Sequence, residues 1–365
     1  MTPPMPPDAE MSLMRCLRQL VLSVGLALGL VAGVALPAAA VVPPFPQPSE
    51  WATICDTKRP AGTNLARGTN CRWIPVDGHP RRYLVYVPQN PTYSLGRRWP
   101  VVFMYHGSSG DGEQFWRNSG WRALAEQQGF IVVFPTGLRY DLLDGPRITK
   151  WTDFGLAADV DLTVRLDGYP ATAPMPADDV KFTLRMLADI STQLFVAPRR
   201  FHLAGFSNGA GMAARVAVQR PGVFASAAIT GGGLSDVYDP SRNPSLLFGV
   251  GTLDDRFLEV INRVAEPDLT EIPLSWADVE TVLPGFLANH RDTFGMDPAD
   301  VDVVEGATST RATWDLPLGG EDDDQVVRFV LMEDLAHKYP TAPNNPNGFR
   351  FALMSWAWFD AHRLP

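Results

Sequence analysis

Cysteine is scarce, at three in 365 residues, which is too few for a small fold built on disulfides. None of the three is grouped with histidine at zinc-ligand spacing. Only six histidines are present, so any proton-transfer histidine must come from a short set. Basic residues are outnumbered, 31 Lys and Arg against 40 Asp and Glu, for a formal net charge of −9. That balance argues against nucleic acid or an anionic membrane as partner, because both need a basic face. There is no internal repeat, and the glycine pattern fits neither a phosphate loop nor a dinucleotide fingerprint. The acidic run Glu321-Asp322-Asp323-Asp324 lacks the ligand spacing and glycine turn of a calcium loop and reads as a solvated turn. No metal and no cofactor is expected.

What is present begins with one long apolar run, Leu20 to Leu36, preceded by Arg15 and Arg18 and followed by Pro37-Ala38-Ala39-Ala40. A positive flank, an apolar stretch and a small-residue end predict a secretory signal over residues 1–40, cleaved after Ala40. The competing reading is an uncleaved membrane anchor. Cleavage would leave no stable membrane insertion and an extracellular or periplasmic protein. It would also leave Cys55 and Cys71 as the last two cysteines, expected to pair in an oxidising compartment. Two separate buried thiols are the alternative. Residues 41–70 then form an N-terminal extension tied by that bridge, ahead of the main domain over residues 71–365.

An apolar fraction of 45% suits a sizeable core, and strands alternate with helices, which predicts an α/β fold with a mostly parallel sheet. A hairpin opens it, Cys71 to Pro75 and Arg82 to Val87 around Asp77-Gly78. Pro100 to Tyr105, Phe130 to Phe134, Phe201 to Gly205, Ala225 to Ile229, Leu246 to Val250 and Val326 to Met332 follow as short apolar runs. They lack clean alternation, as strands covered on both faces do. Ala312 to Trp314 is expected beside the last. Helices are predicted over Trp121 to Gln128, from Asp178 or Asp179 through Ile190, over Asn208 to Gln219, from Pro284 to Arg291 and from Phe349 to His362. Residues 136–177 read as surface loops near the site. Residues 256–311, a long separation between two strands, read as a lid-like insertion before the final strand or as a packed excursion.

The most informative stretch is Gly205-Phe206-Ser207-Asn208-Gly209, which matches G-x-S-x-G between a strand and a helix. In such an elbow a serine is pushed up from the sheet, where a base and a substrate carbonyl can both reach its oxygen. A serine hydroxyl needs a base, usually a histidine oriented by a carboxylate. In the α/β-hydrolase order both follow the serine. His337, directly after the last strand, is assigned as base, against His290 in the insertion and His362 on the terminal helix. Asp254 is the preferred acid, with Asp255 beside it and Asp236 in reserve. The oxyanion formed on attack requires backbone N–H donors. Asn208, at the helix N-terminus, supplies one, and Ser108, in His106-Gly107-Ser108-Ser109-Gly110, supplies the other. His106 is expected to support that loop, His202 to lie inside a strand and His79 in the hairpin turn.

With these pieces in place the chain resembles the secreted esterases grouped as polyhydroxybutyrate depolymerase-like and feruloyl or acetyl-xylan esterase-like. The likeness covers most of residues 80–363. It rests on Arg82-Tyr83-Leu84-Val85-Tyr86-Val87-Pro88, His106-Gly107, Phe130-Ile131-Val132-Val133-Phe134-Pro135, Asp178-Asp179-Val180, the elbow, Gly251-Thr252-Leu253-Asp254 and Ala336-His337-Lys338-Tyr339-Pro340. The resemblance implies an α/β-hydrolase fold and a triad on Ser207, Asp254 and His337. It also implies small or oligomeric esters as substrate. Ser108 stands where the family often has cysteine, Leu335-Ala336 where glycines are common, and Tyr339 where tryptophan often follows the base. No polymer-binding domain follows His362, which directs the expectation toward soluble or oligomeric esters. A serine peptidase or acyltransferase on the same triad, and a non-catalytic binding protein on a hydrolase scaffold, are the alternatives. Oligomeric state is left open.

Overall fold

Both faces of the central strands are apolar, and this one property sets the architecture. The computed structural model describes residues 58–60 and 64–364, apart from 95, 154, 164–174, 240–243, 264–267 and 318–323. The expected signal, most of the 41–70 extension, Cys55 and Glu321-Asp322-Asp323 lie outside the described residues. In chain order the strands are β1 (Lys58–Pro60), β2 (Gly68–Val76), β3 (His79–Val87), β4 (Trp99–Tyr105), β5 (Ile131–Pro135), β6 (Leu138–Asp141), β7 (Arg147–Lys150), β8 (Val196–Phe206), β9 (Ser226–Thr230), β10 (Ser245–Leu253), β11 (Asp302–Glu305), β12 (Ser309–Pro317) and β13 (Asp324–Ala336). The helices are α1 (Gly112–Asn118), α2 (Trp121–Gln128), α3 (Leu156–Asp159), α4 (Asp179–Gln193), α5 (Asn208–Gln219), α6 (Asp255–Asn262), α7 (Trp276–Val282), α8 (Pro284–Phe294) and α9 (Phe351–Ala361).

The main sheet runs β1-β2-β3-β5-β4-β8-β9-β10-β13-β12-β11. Its centre, from β5 to β13, is parallel throughout. Antiparallel pairs extend it on both sides. Successive side chains on a strand point to opposite faces. Val101, Phe103 and Tyr105 therefore enter one core with α4 and α5, and Val102 and Met104 enter the other with α2 and α9. The second core is rich in stacked rings, with Phe130 on Trp356 at 4.1 Å and Phe359 on His202 at 4.6 Å. This is the α/β-hydrolase fold, a mostly parallel sheet between helical layers.

The opening hairpin turns on Asp77 and Gly78, both at positive φ, the geometry that matches the twist of the flanking strands. The sheet begins inside the 41–70 extension, because β1 pairs with β2 in parallel and Lys58 stands opposite Cys71. β13 runs past Met332 to Ala336, so His337 leaves the sheet directly. The 256–311 insertion is built from α6, α7, α8 and β11. Its Val279, Leu287 and Phe294 share a core with Phe248 and Phe329, and β11 extends the sheet edge beside β12.

The expectation of surface loops over 136–177 is corrected in part. β6 and β7 form a separate antiparallel hairpin, and Trp151 directly after it is fully buried. Without apolar periodicity its burial could not be read from the sequence, because irregular backbone and not a regular element carries the ring inward.

Candidate active site

The strand–turn–helix at residues 205–209 is sterically determined. A Cβ on Gly205 would overlap the Gly209 carbonyl, and one on Gly209 would overlap the carbonyls of Tyr105 and His106. Ser207 sits at φ 54°, ψ −126°, a conformation that costs a non-glycine residue free energy. The turn is fixed around it: Ser207 N donates to Thr230 O at 3.0 Å, and Ala210 N donates to Ser207 O at 2.8 Å.

The structure brings Ser207, His337 and Asp254 together. His337 Nδ1 lies 3.0 and 2.9 Å from the two Asp254 carboxylate oxygens, and His337 Nε2 lies 2.9 Å from Ser207 Oγ. An ionised carboxylate only accepts, so Nδ1 carries the proton and Nε2 is left to accept from the serine hydroxyl. Asp254 is buried and caps α6, with its Oδ1 accepting from Arg256 N at 3.1 Å and Phe257 N at 3.4 Å. The carboxylate thus stands at the N-terminus of α6, the positive end of the helix dipole. Asp255 and Asp236 are exposed and stand outside this chain of bonds.

The other histidines have structural partners. His106 is buried, donates from Nδ1 to Gly107 O at 2.7 Å and accepts Gly137 N on Nε2 at 2.9 Å. Burial holds its pKa down at about 4, so it stays neutral and pins the turn it belongs to. His290 stacks on Phe248 at 4.2 Å and accepts from Leu234 N at 3.3 Å, and burial lowers its pKa to about 4. His202 bonds Ser226 Oγ at 2.9 Å inside the sheet. His362 packs on Trp358 at the end of α9. His79 opens β3 and is buried.

Asn208 opens α5, and its backbone N–H has no acceptor among the described residues, nor has that of Ser108. Gly107 packs against Ser207 so closely that a Cβ there would stand 3.2 Å from the serine Cβ. A ring wall that the sequence does not announce stands beside the base. The half-buried ring of Phe206 lies 5.0 Å from His337, with Phe115 and Tyr339 behind it. Its position as the x of G-x-S-x-G was a signal that the motif leaves unread. Equally unannounced is the Asn208 side chain, bonded to Trp151 and Asp153.

No protein-family model matches the chain. It is 27% identical over 167 residues to NocK of Nocardia uniformis subsp. tsuyamanensis, which carries an esterase's name, covering 46% of this chain and 42% of that protein. It is 28% identical over 148 residues to feruloyl esterase B of Piromyces equi, covering 40% of this chain and 23% of that one. The chain thus spans less than half the length of either curated relative. Among solved structures, acetyl xylan esterase from Aspergillus awamori aligns at 15% identity and a TM-score of 0.46, over 77% of this chain and 94% of that one. Both curated relatives carry the names of esterases.

Proposed function

We propose that this protein is a serine carboxylic-ester hydrolase that works through an acyl-enzyme. The observation that carries this reading is His337, hydrogen-bonded on one side to Ser207 Oγ and on the other to a buried carboxylate. Ser207 Oγ attacks the ester carbonyl carbon while its proton passes to His337 Nε2. The N–H groups of Asn208 and Ser108 take the negative charge that develops on the carbonyl oxygen. When the intermediate collapses, the bond to the alcohol oxygen breaks and His337 gives that oxygen the proton. Water then repeats the sequence on the acyl-enzyme, releasing the carboxylic acid and restoring the serine hydroxyl.

The proposed substrates are soluble or oligomeric esters of the kind cleaved by polyhydroxybutyrate depolymerase-like and feruloyl esterase-like enzymes. The apolar ring of Phe206 beside the base, with Phe115 behind it, and the curated relative named as a feruloyl esterase support that choice. Export is part of the proposal, supported by the residue pattern of 1–40. A Cys55–Cys71 bridge belongs to it too, since Lys58, three residues beyond Cys55, stands opposite buried Cys71.

The test is hydrolysis of p-nitrophenyl esters by the wild type and by Ser207→Ala. The substitution should lower kcat by on the order of 10⁴-fold or more, and retained turnover would overturn the reading. Product analysis on hydroxybutyrate oligomers, methyl ferulate and acetylated xylan then identifies the acyl and alcohol groups. Peptide substrates and added alcohol acceptors separate a hydrolase from a peptidase or an acyltransferase.

A further inference from the structure

The two donors of the oxyanion hole come from different parts of the chain, the turn after β4 and the start of α5. β4 and β8 are paired as far as Tyr105 opposite Gly205, and both donors lie beyond that pairing. One stretch, from the end of β7 through Asp153, binds both. On the side of the turn after β4, Ser109 N donates to Thr149 O at 2.9 Å, and the Thr149 hydroxyl donates to Gly110 O. The Trp151 indole N–H donates to His106 O at 2.8 Å. On the elbow side, Trp151 N donates to Asn208 Oδ1 at 2.7 Å, and Asn208 Nδ2 donates to Trp151 O at 3.3 Å and to Asp153 Oδ2 at 2.6 Å. The Asn208 side chain thus pairs with Trp151 as one strand pairs with another.

The stretch is itself anchored from behind. Thr152 N and Oγ1 donate to Asp179 Oδ2 at 2.7 and 2.9 Å, and Asp179 is ion-paired with Arg81, both buried. The Trp151 ring is fully buried, edge-on to Tyr105 at 5.2 Å and 4.8 Å from His106. A rigid, desolvated anchor of this kind keeps hydrogen-bond donors at one spacing, and a displacement of about 1 Å can cost roughly 10²-fold in rate.

We propose that residues Thr149–Asp153 brace the oxyanion hole, with Trp151 as the positioning residue that sets the spacing of the Ser108 and Asn208 N–H donors. The proposal rests on the reading of the site as an ester hydrolase. Trp151 touches no reacting atom. It acts through the backbone of His106 and the side chain of Asn208.

Two variants test it, Trp151→Phe, which keeps a ring and removes the indole donor, and Asn208→Ala, which keeps the backbone N–H and removes the pairing. Each should lower kcat on a p-nitrophenyl ester by about 10- to 100-fold, with KM within about threefold. Affinity for a trifluoromethyl ketone, whose adduct places an oxyanion in the hole, should fall by the same factor as kcat/KM. Hydrogen exchange at residues 106–110 should accelerate in both variants, a readout that needs no turnover. Unchanged exchange, or a loss that appears in KM and spares the ketone, overturns the brace. If Trp151→Phe does not fold, Asn208→Ala decides by the same criteria. A wild type that turns over no ester overturns the hydrolase reading alone, and the exchange result still decides the brace.

Discussion

Asp254 Oδ1 lies 3.0 Å from His337 Nδ1 and 3.1 Å from the backbone nitrogen of Arg256. One carboxylate oxygen therefore both orients the imidazole and caps α6. The two duties separate by substitution. Asparagine is as good a helix cap as aspartate, so Asp254→Asn should keep the thermal midpoint close to that of the wild type. Its neutral amide no longer holds the imidazole in the right tautomer or balances the imidazolium, and kcat should fall on the order of 10⁴-fold. Asp254→Ala should lose activity as well, and about 1 kcal/mol of stability from the missing cap. Thermal melts beside ester kinetics read both effects.

Ser207 holds a positive φ that its side chain disfavours. Glycine tolerates that region without strain. Ser207→Gly should be inactive and more stable than the wild type, by roughly 1–3 kcal/mol, measured by urea denaturation. A Cβ at Gly205 or Gly209 would strike backbone, so alanine at either position should reduce soluble folded protein.

Glu113, in α1, is buried, and neither carboxylate oxygen has a hydrogen-bond partner among the described residues. Burial is the main cause that pushes its pKa up to about 7, with Asp111 adding to the shift and Arg82 at 3.8 Å opposing it. The folded protein therefore holds this proton more tightly than the unfolded chain does. Stability is lost as pH rises from about 4.5 to about 7, by about 3 kcal/mol from this group. Glu113→Gln should be more stable than the wild type above pH 7, and the gain should vanish near pH 4.5.

The buried histidines act in the opposite direction. His106 and His290 are held down at about 4, and His202 is also lowered, in each case chiefly by burial. An unfolded chain takes up protons as pH falls through about 6.5, and the folded one does not. Stability should therefore drop between about pH 6.5 and 4. Denaturation midpoints across that range check this, and replacing His290 with Phe should flatten the slope.

The sheet was legible wherever strands are short apolar runs, and the elbow wherever glycine and serine stand at fixed spacing. Asp254 could be preferred over Asp255 from its place at the end of β10, and the cap it makes on α6 gives the physical reason. The edge strand β11, Asp302–Glu305, has four residues and lies mostly exposed at the rim, too short for its two valines to mark a strand. Trp151 was visible as a residue but not as a buried one. Its burial depends on bonds to His106 and Asn208, partners 45 and 57 positions away, which no local pattern encodes. Asp178 caps α4 through Lys181 N, whereas its neighbour Asp179 turns inward to Arg81 and Thr152. The pair of aspartates alone does not say which does which.

The most direct measurement is mass spectrometry of the protein after reaction with a fluorophosphonate, with ester turnover followed in parallel. One adduct per chain is expected, on the peptide carrying Ser207, formed in proportion to the loss of turnover and absent from Ser207→Ala. Ester turnover that persists in an unlabelled protein, or an adduct on any other residue, would contradict Ser207 as the nucleophile.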